Sequence, residues 1–130
     1  MQNRKTLEIY TSDRYIKNNP LVHAQDSIWK VEKIKPMVDA LMAEIPQRTI
    51  TILDVGGGAG IILKKISDYI TKHYGKKVKK IILDVSPGML KLQQKNNLDL
   101  ARSLQEDITH TSLKDKEIDF VLMIDVLEHL

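Results

Sequence analysis

The chain has 130 residues, 42% of them hydrophobic and 28% charged, with a formal net charge of +3 and no cysteine. That length and balance fit one globular domain; they exclude disulfides and thiolate metal sites, and no run approaches the roughly 18 apolar residues that span a bilayer. The N-terminal MQNRKTLEIYTSDRYIKNNP has no continuous apolar stretch of the kind a secretory signal uses, so the cytoplasm is the expected compartment.

Residues 1–20 are polar and end in Asn-Asn-Pro, which predicts an extended arm; Tyr10 and Tyr15 could serve it as part of a lid. From about Leu21 to Ile45 the apolar residues Ile28, Val31, Ile34, Met37, Val38, Leu41, Met42 and Ile45 recur at three- and four-residue steps, the signature of an amphipathic helix. Pro36 is expected to kink or split it, since proline lacks an N–H and crowds the carbonyl four residues back. Pro46 ends it, and Trp29 is expected to be a packing anchor.

The period then changes. Thr49 to Asp54 is short and β-branched, and is bounded by turn residues, so a strand is expected. Glycines follow at 56, 57, 58 and 60, and Ile62, Leu63, Ile66, Tyr69 and Ile70 mark one face of a second helix. Val78 to Val85 predicts another strand. Ser86-Pro87 opens a third helix, with serine as its cap and proline at its first position. Leu100 to Leu104 is a weaker strand, Ile118 to Ile124 a strong one, and a helical turn begins at Asp125. Apolar strands alternating with amphipathic helices imply a parallel sheet with helices on both faces and right-handed crossovers.

Five lysines (Lys72, Lys76, Lys77, Lys79 and Lys80) crowd the segment KHYGKKVKK. Such a cluster could attract RNA. It equally suits a solvated helix end stopped by Gly75, and without interleaved aromatics a nucleic-acid partner is not expected. His23, His73 and His110 form no metal-ligand spacing, so no metal site is expected.

In a parallel sheet of this kind, ligands sit beyond the carboxyl ends of the strands. Asp54, Asp84, Asp107 and Asp125 all fall at or just after predicted strand ends. The turn after the first strand, Asp54-Val55-Gly56-Gly57-Gly58-Ala59-Gly60, lets backbone approach a ligand closely and aims a helix N-terminus at it. The dinucleotide pattern Gly-x-Gly-x-x-Gly fails, because counting from Gly56 demands glycine where Ile61 stands. No phosphate-loop Gly-Lys-Ser/Thr is present either. An acid directly before the turn repels pyrophosphate and attracts ammonium, whereas the helix end suits a carboxylate. S-adenosylmethionine carries both groups.

These segments resemble the class I S-adenosylmethionine-dependent methyltransferases. LDVGGGAG (53–60) is similar to their first motif, LDVSPGML (83–90) to the second, EDI (106–108) to the third and DFVLMIDVLEHL (119–130) to the fourth. The last is similar to the small-molecule branch, of type 11/12, that includes ubiquinone and menaquinone biosynthesis enzymes. The resemblance covers roughly residues 49–130 and implies a Rossmann-like α/β fold, truncated to about four strands and preceded by an N-terminal helix. Residues 21–130 would then be an S-adenosylmethionine-binding domain, incomplete at its C-terminus.

The resemblance also implies roles. Gly56, Gly58 and Gly60 would shape the loop around the methionine moiety, and Asp54 would reach its amino group. Asp84 would hold the ribose hydroxyls. Met89 and Ile108 would pack near the adenine, with Asp107 accepting from its exocyclic amine. His129 is the one candidate for catalysis, on the general ability of histidine to act as a base near neutral pH. The implied activity is methyl transfer to a small organic acceptor. A non-catalytic module needing a partner chain and an RNA or protein methyltransferase are the alternatives; a nicotinamide oxidoreductase is disfavoured by the failed fingerprint. The resembling fold has seven strands. With four, Ile118–Ile124 would become an apolar edge through which two copies could pair as a homodimer.

Overall fold

The computed structural model describes residues 27–124 and residue 126. The expected arm at 1–20, the first expected helical turn at 21–26, Asp125 and His129 lie outside the described residues.

Helix α1 runs Ser27–Glu44, unbroken through Pro36. The expected split does not occur: Val31 before the proline and Val38 and Met42 after it are buried on one face, so a single core packs against both halves and offsets the lost backbone bond. The apolar stripe is narrower than the periodicity suggested. Ile28, Met37 and Trp29 are exposed, Trp29 by 63%, which overturns its reading as a packing anchor. It sits roughly half a turn away from Val31, and its ring is covered by the Lys33 ammonium, 5.6 Å from the centroid.

Strand β1 (Thr49–Val55) leads through the glycine turn into α2 (Ile61–Tyr74). Gly75, at φ 65°, stops α2 in the left-handed conformation, its N–H donating to the Thr71 carbonyl. Strand β2 (Lys77–Asp84), helix α3 (Pro87–Asn96) and strand β3 (Arg102–Gln105) follow. A single 3-10 turn, Ile108–His110, precedes β4 (Phe120–Leu122), which is shorter than the expected Ile118–Ile124. The sheet order is β3-β2-β1-β4, with every pairing parallel. Sheet order thus reverses direction at β1, with β2 on one side and β4 on the other. A ligand crevice is expected at such a switch.

Period-two alternation decides which residues face which layer. Ile50, Ile52 and Ile82 join Val31, Val38, Met42, Leu63, Ile66, Ile70 and Leu90 in the main core, so all three described helices cover one face. For α2 and α3 that follows from two successive crossovers, β1 to β2 and β2 to β3, that step the same way along the sheet. The opposite face, Leu53, Val55, Ile81 and Leu83 together with Leu104 of β3, is covered by Ile108, Leu113 and Ile118 from the chain around the 3-10 turn. Asp39 on α1 ties the helical layer together by accepting from the hydroxyls of Tyr69 (2.6 Å) and Tyr74. As expected, β4 is an edge among the described residues; Val121 on it is 47% exposed, while Phe120 and Leu122 face the core.

Candidate functional site

Asp54 continues the row Ile50, Ile52 on β1, and Asp84 continues the row Lys80, Ile82 on β2. Both acids therefore point into the helical layer at the carboxyl ends of adjacent strands, where β1 and β2 run in register up to Val55 and Leu83. Asp54 is 2% exposed, and its Oδ2 makes no hydrogen bond among the described residues. Burial, then repulsion from Asp84, raises its pKa from the ordinary 3.8 to about 7. Asp84 is 8% exposed. Its Oδ1 accepts from the Ser86 N–H (3.0 Å) and its Oδ2 from the Gln93 carboxamide (3.0 Å). Burial raises its pKa too, but the Ser86 N–H and Gln93 oppose that rise. Asp84 thus has donors that favour its ionised form, and Asp54 Oδ2 has none.

The glycine turn folds over this pair. Gly56, Gly58 and Gly60 all take positive φ, at 60°, 59° and 80°, a region that disfavours any side chain. Gly57 does not, but a Cβ there would lie 2.1 Å from Asp54 Oδ2. Its glycine is required by the acid beneath, a requirement that sequence reasoning missed. The loop is lashed to β2 by the Gly56 N–H, which donates to the Leu83 carbonyl at 2.9 Å.

Side-chain amides of α3 and its C-cap hold the other side of the loop. Gln93 Nε2 donates to the Gly58 carbonyl (3.0 Å), Asn96 Nδ2 to Ala59 (2.7 Å) and Asn97 Nδ2 to Gly60 (2.9 Å). Three successive carbonyls are thus drawn towards α3. Sequence reasoning missed these residues as well, although their spacing (i, i+3, i+4) puts them on one helical face and was visible in LQQKNN. Asn97 Oδ1 in turn accepts from Lys80 Nζ (3.2 Å), which also pairs with Asp99 (2.6 Å).

The remaining expected residues extend the site along the strand ends towards β3. Ser86 caps α3 by accepting from the Met89 N–H (3.2 Å), which fixes Met89 as a buried residue on the first turn beyond Asp84. The Glu106 N–H donates to the Asp84 carbonyl (3.2 Å), so the segment after β3 begins at Asp84. Asp107 caps the 3-10 turn: its Oδ1 accepts from the Thr109 N–H (2.9 Å) and hydroxyl (2.8 Å). Those donors hold its carboxyl below the usual range, and Ile108 packs on the Leu53–Leu83 cluster. The geometry brings Asp54, the glycine loop, Asp84 and Met89 together. Asp107 and Ile108 follow along the same sheet edge. His129 cannot be placed, since it lies outside the described residues.

The lysine cluster divides. Lys80 is buried, Lys76 donates to the Ile45 carbonyl, and Lys72 lies in the last turn of α2. Among the described residues no His, Cys, Asp and Glu group could hold a metal ion, and no helix is long and apolar enough to cross a membrane. A cleft of about 440 Å3 between α1 and α2, lined by Val31, Lys35, Tyr69 and His73, shares no residue with the strand-end site.

A family model described as a methyltransferase domain matches residues 53–130, from β1 and the glycine turn onward. No curated protein matches the chain.

Proposed function

The chain belongs to the methyltransferase-domain family, and we propose that it transfers a methyl group from S-adenosylmethionine to a small organic acceptor. The observation that carries this reading is the pair of buried acids under the glycine turn, one with an unpartnered carboxylate oxygen. A buried acceptor left without a donor costs about 1–3 kcal/mol. A ligand that brings an ammonium to Asp54 removes that cost and lets Asp54 ionise.

The residues fit the cofactor at each end. Asp54 accepts from the amino group, and the positive-φ glycines let backbone close on the methionine portion. Each Asp84 oxygen carries one protein hydrogen bond and keeps lone-pair capacity for one hydroxyl of a ribose diol. Met89 and Ile108 offer apolar contact to the adenine. Asp107, held ionised by Thr109, keeps its Oδ2 for an exocyclic amine. The bound cofactor supplies an already activated methyl group on a sulfonium, so the chain's task is alignment and exclusion of water rather than strong acid–base help. Burial of Lys80 and the tie of Lys76 to the Ile45 carbonyl withdraw two of the five clustered lysines from any polyanion-binding surface, which supports a small acceptor over RNA. Similarity of the fourth motif to the quinone-biosynthesis branch supports a small acceptor of that kind.

The test is calorimetric titration with S-adenosylmethionine and with its demethylated product. Saturable binding that is lost in Asp84→Ala supports the site; a folded wild-type chain that binds neither ligand refutes it. Labelled methyl groups appearing in added RNA or protein, and not in small acceptors, would refute the acceptor class.

A further inference from the structure

Gln93 is fully buried, and both of its donated hydrogen bonds land on functional atoms. One goes to the Gly58 carbonyl of the glycine loop and one to Asp84 Oδ2 at the end of β2, each at 3.0 Å. Both partners are acceptors, so the orientation of the amide is fixed: the nitrogen must face them. Its Oε1 is left buried without a partner among the described residues. Burying a long amide costs rotamer freedom and desolvation, and the two bonds it donates offset that cost by satisfying acceptors that an apolar side chain of the same length would leave bare. The neighbouring amides Asn96 and Asn97 hold loop carbonyls but touch neither acid.

We propose that Gln93 is a positioning residue for cofactor binding, its carboxamide locking the Asp84 carboxylate and the glycine loop into one unit. This rests on the S-adenosylmethionine reading above. Asp84 is the expected ribose acceptor and Gly58 part of the methionine loop, so one side chain sets the spacing between the two ends of the ligand site. With the Ser86 N–H on Oδ1 and Gln93 on Oδ2, the carboxylate is clamped at both oxygens and cannot rotate away. Loss of the amide releases Oδ2 and the loop together.

The experiment is a double-mutant cycle read by calorimetry with the demethylated product. It uses Gln93→Met, which keeps length and packing but removes the amide, and Asp84→Asn. In the wild-type background, Gln93→Met is expected to weaken binding about tenfold to a hundredfold, the worth of one charge-assisted hydrogen bond. In the Asp84→Asn background the penalty should be at least about threefold smaller, because the charge-assisted part of the effect runs through the carboxylate and only the neutral bond to the Gly58 carbonyl is then left to lose. An equal penalty in both backgrounds, or none in either, overturns the proposal while leaving the cofactor reading intact. Failure of the wild-type chain to bind overturns both.

If Gln93→Met does not fold, the apolar Gln93→Leu is put through the same cycle, with the same expectation. The wild-type chain supplies an independent readout. With ligand bound, the Gln93 side-chain amide protons should be protected from solvent exchange, and rapid exchange would overturn the proposal.

Discussion

Asp54→Asn should make the protein more stable and a poorer binder, and the stability gain should depend on pH. A carboxyl whose pKa rises from 3.8 to about 7 on folding holds its proton about a thousandfold more tightly in the folded state, or roughly 4 kcal/mol at 1.36 kcal/mol per tenfold. The sign follows from which state loses the proton first. Below 3.8 both states are protonated and there is no penalty. Between 3.8 and about 7 the unfolded chain ionises while the folded one does not, so stability falls as pH rises. Above about 7 the full penalty applies.

An amide has no such titration. It introduces buried donors of its own, which cost about 1–3 kcal/mol, so a net gain of roughly 2 kcal/mol is expected at pH 8. For a domain of this size that raises Tm by about 5–10 °C. At pH 5 only about 1.6 kcal/mol of the penalty remains, no more than the amide costs, so the gain should vanish there. Thermal unfolding of both proteins from pH 4 to 8 checks this, and parallel pH curves would refute the assignment of Asp54 as the buried, donor-less member of the pair. Calorimetry on the same samples should show weaker binding of S-adenosylmethionine, because the ammonium loses its counter-charge. A gain in stability coupled to a loss of affinity is the signature of a strained binding group.

Two glycines separate space from conformation. Gly57→Ala places a methyl 2.1 Å from Asp54 Oδ2; it should cost about 1–3 kcal/mol in thermal unfolding and abolish measurable cofactor binding. Gly75→Ala meets nothing within 4 Å but keeps φ near 65°, so about 1 kcal/mol of stability is lost and binding is unchanged. Asp99→Asn should cost about 1–2 kcal/mol in denaturant unfolding, more than an ordinary surface pair. Asp99 is 76% exposed, but its partner Lys80 is buried and would be left with Asn97 alone. Ser86→Ala should cost about 1 kcal/mol through loss of the α3 cap, and should also weaken binding by loosening Met89.

Much of this protein follows from local chemistry and was therefore legible in the residues alone. The β-branched run before the glycines, the Ser86-Pro87 helix start and the Gly75 stop are each decided within a few residues, and the structure has all three where they were expected. The alternation Ile50, Ile52, Asp54 and Lys80, Ile82, Asp84 already places both acids on the same kind of face. Parallel pairing turns that into a shared site.

Tertiary structure decided what depends on neighbours distant in the chain. Ile28 and Met37 look like core residues by period, yet both are exposed, and α1 buries only the narrower Val31–Val38–Met42 stripe against the rest of the fold. Pro36 should break a helix in isolation, but a core that grips both halves keeps it continuous. Nothing in the local sequence tells Gly57 from a tolerant turn position, because the group that forbids a side chain there, the Asp54 carboxylate, reaches it only once the turn closes. Gln93, Asn96 and Asn97 look like polar surface of a short helix. They become the grip on the glycine loop because α3 packs over the carboxyl end of β2, which brings three amides within hydrogen-bond distance of three carbonyls more than thirty residues away. Period and turn chemistry are properties of adjacent residues. Burial, charge coupling and hydrogen-bond partnership depend on what the folded chain brings alongside.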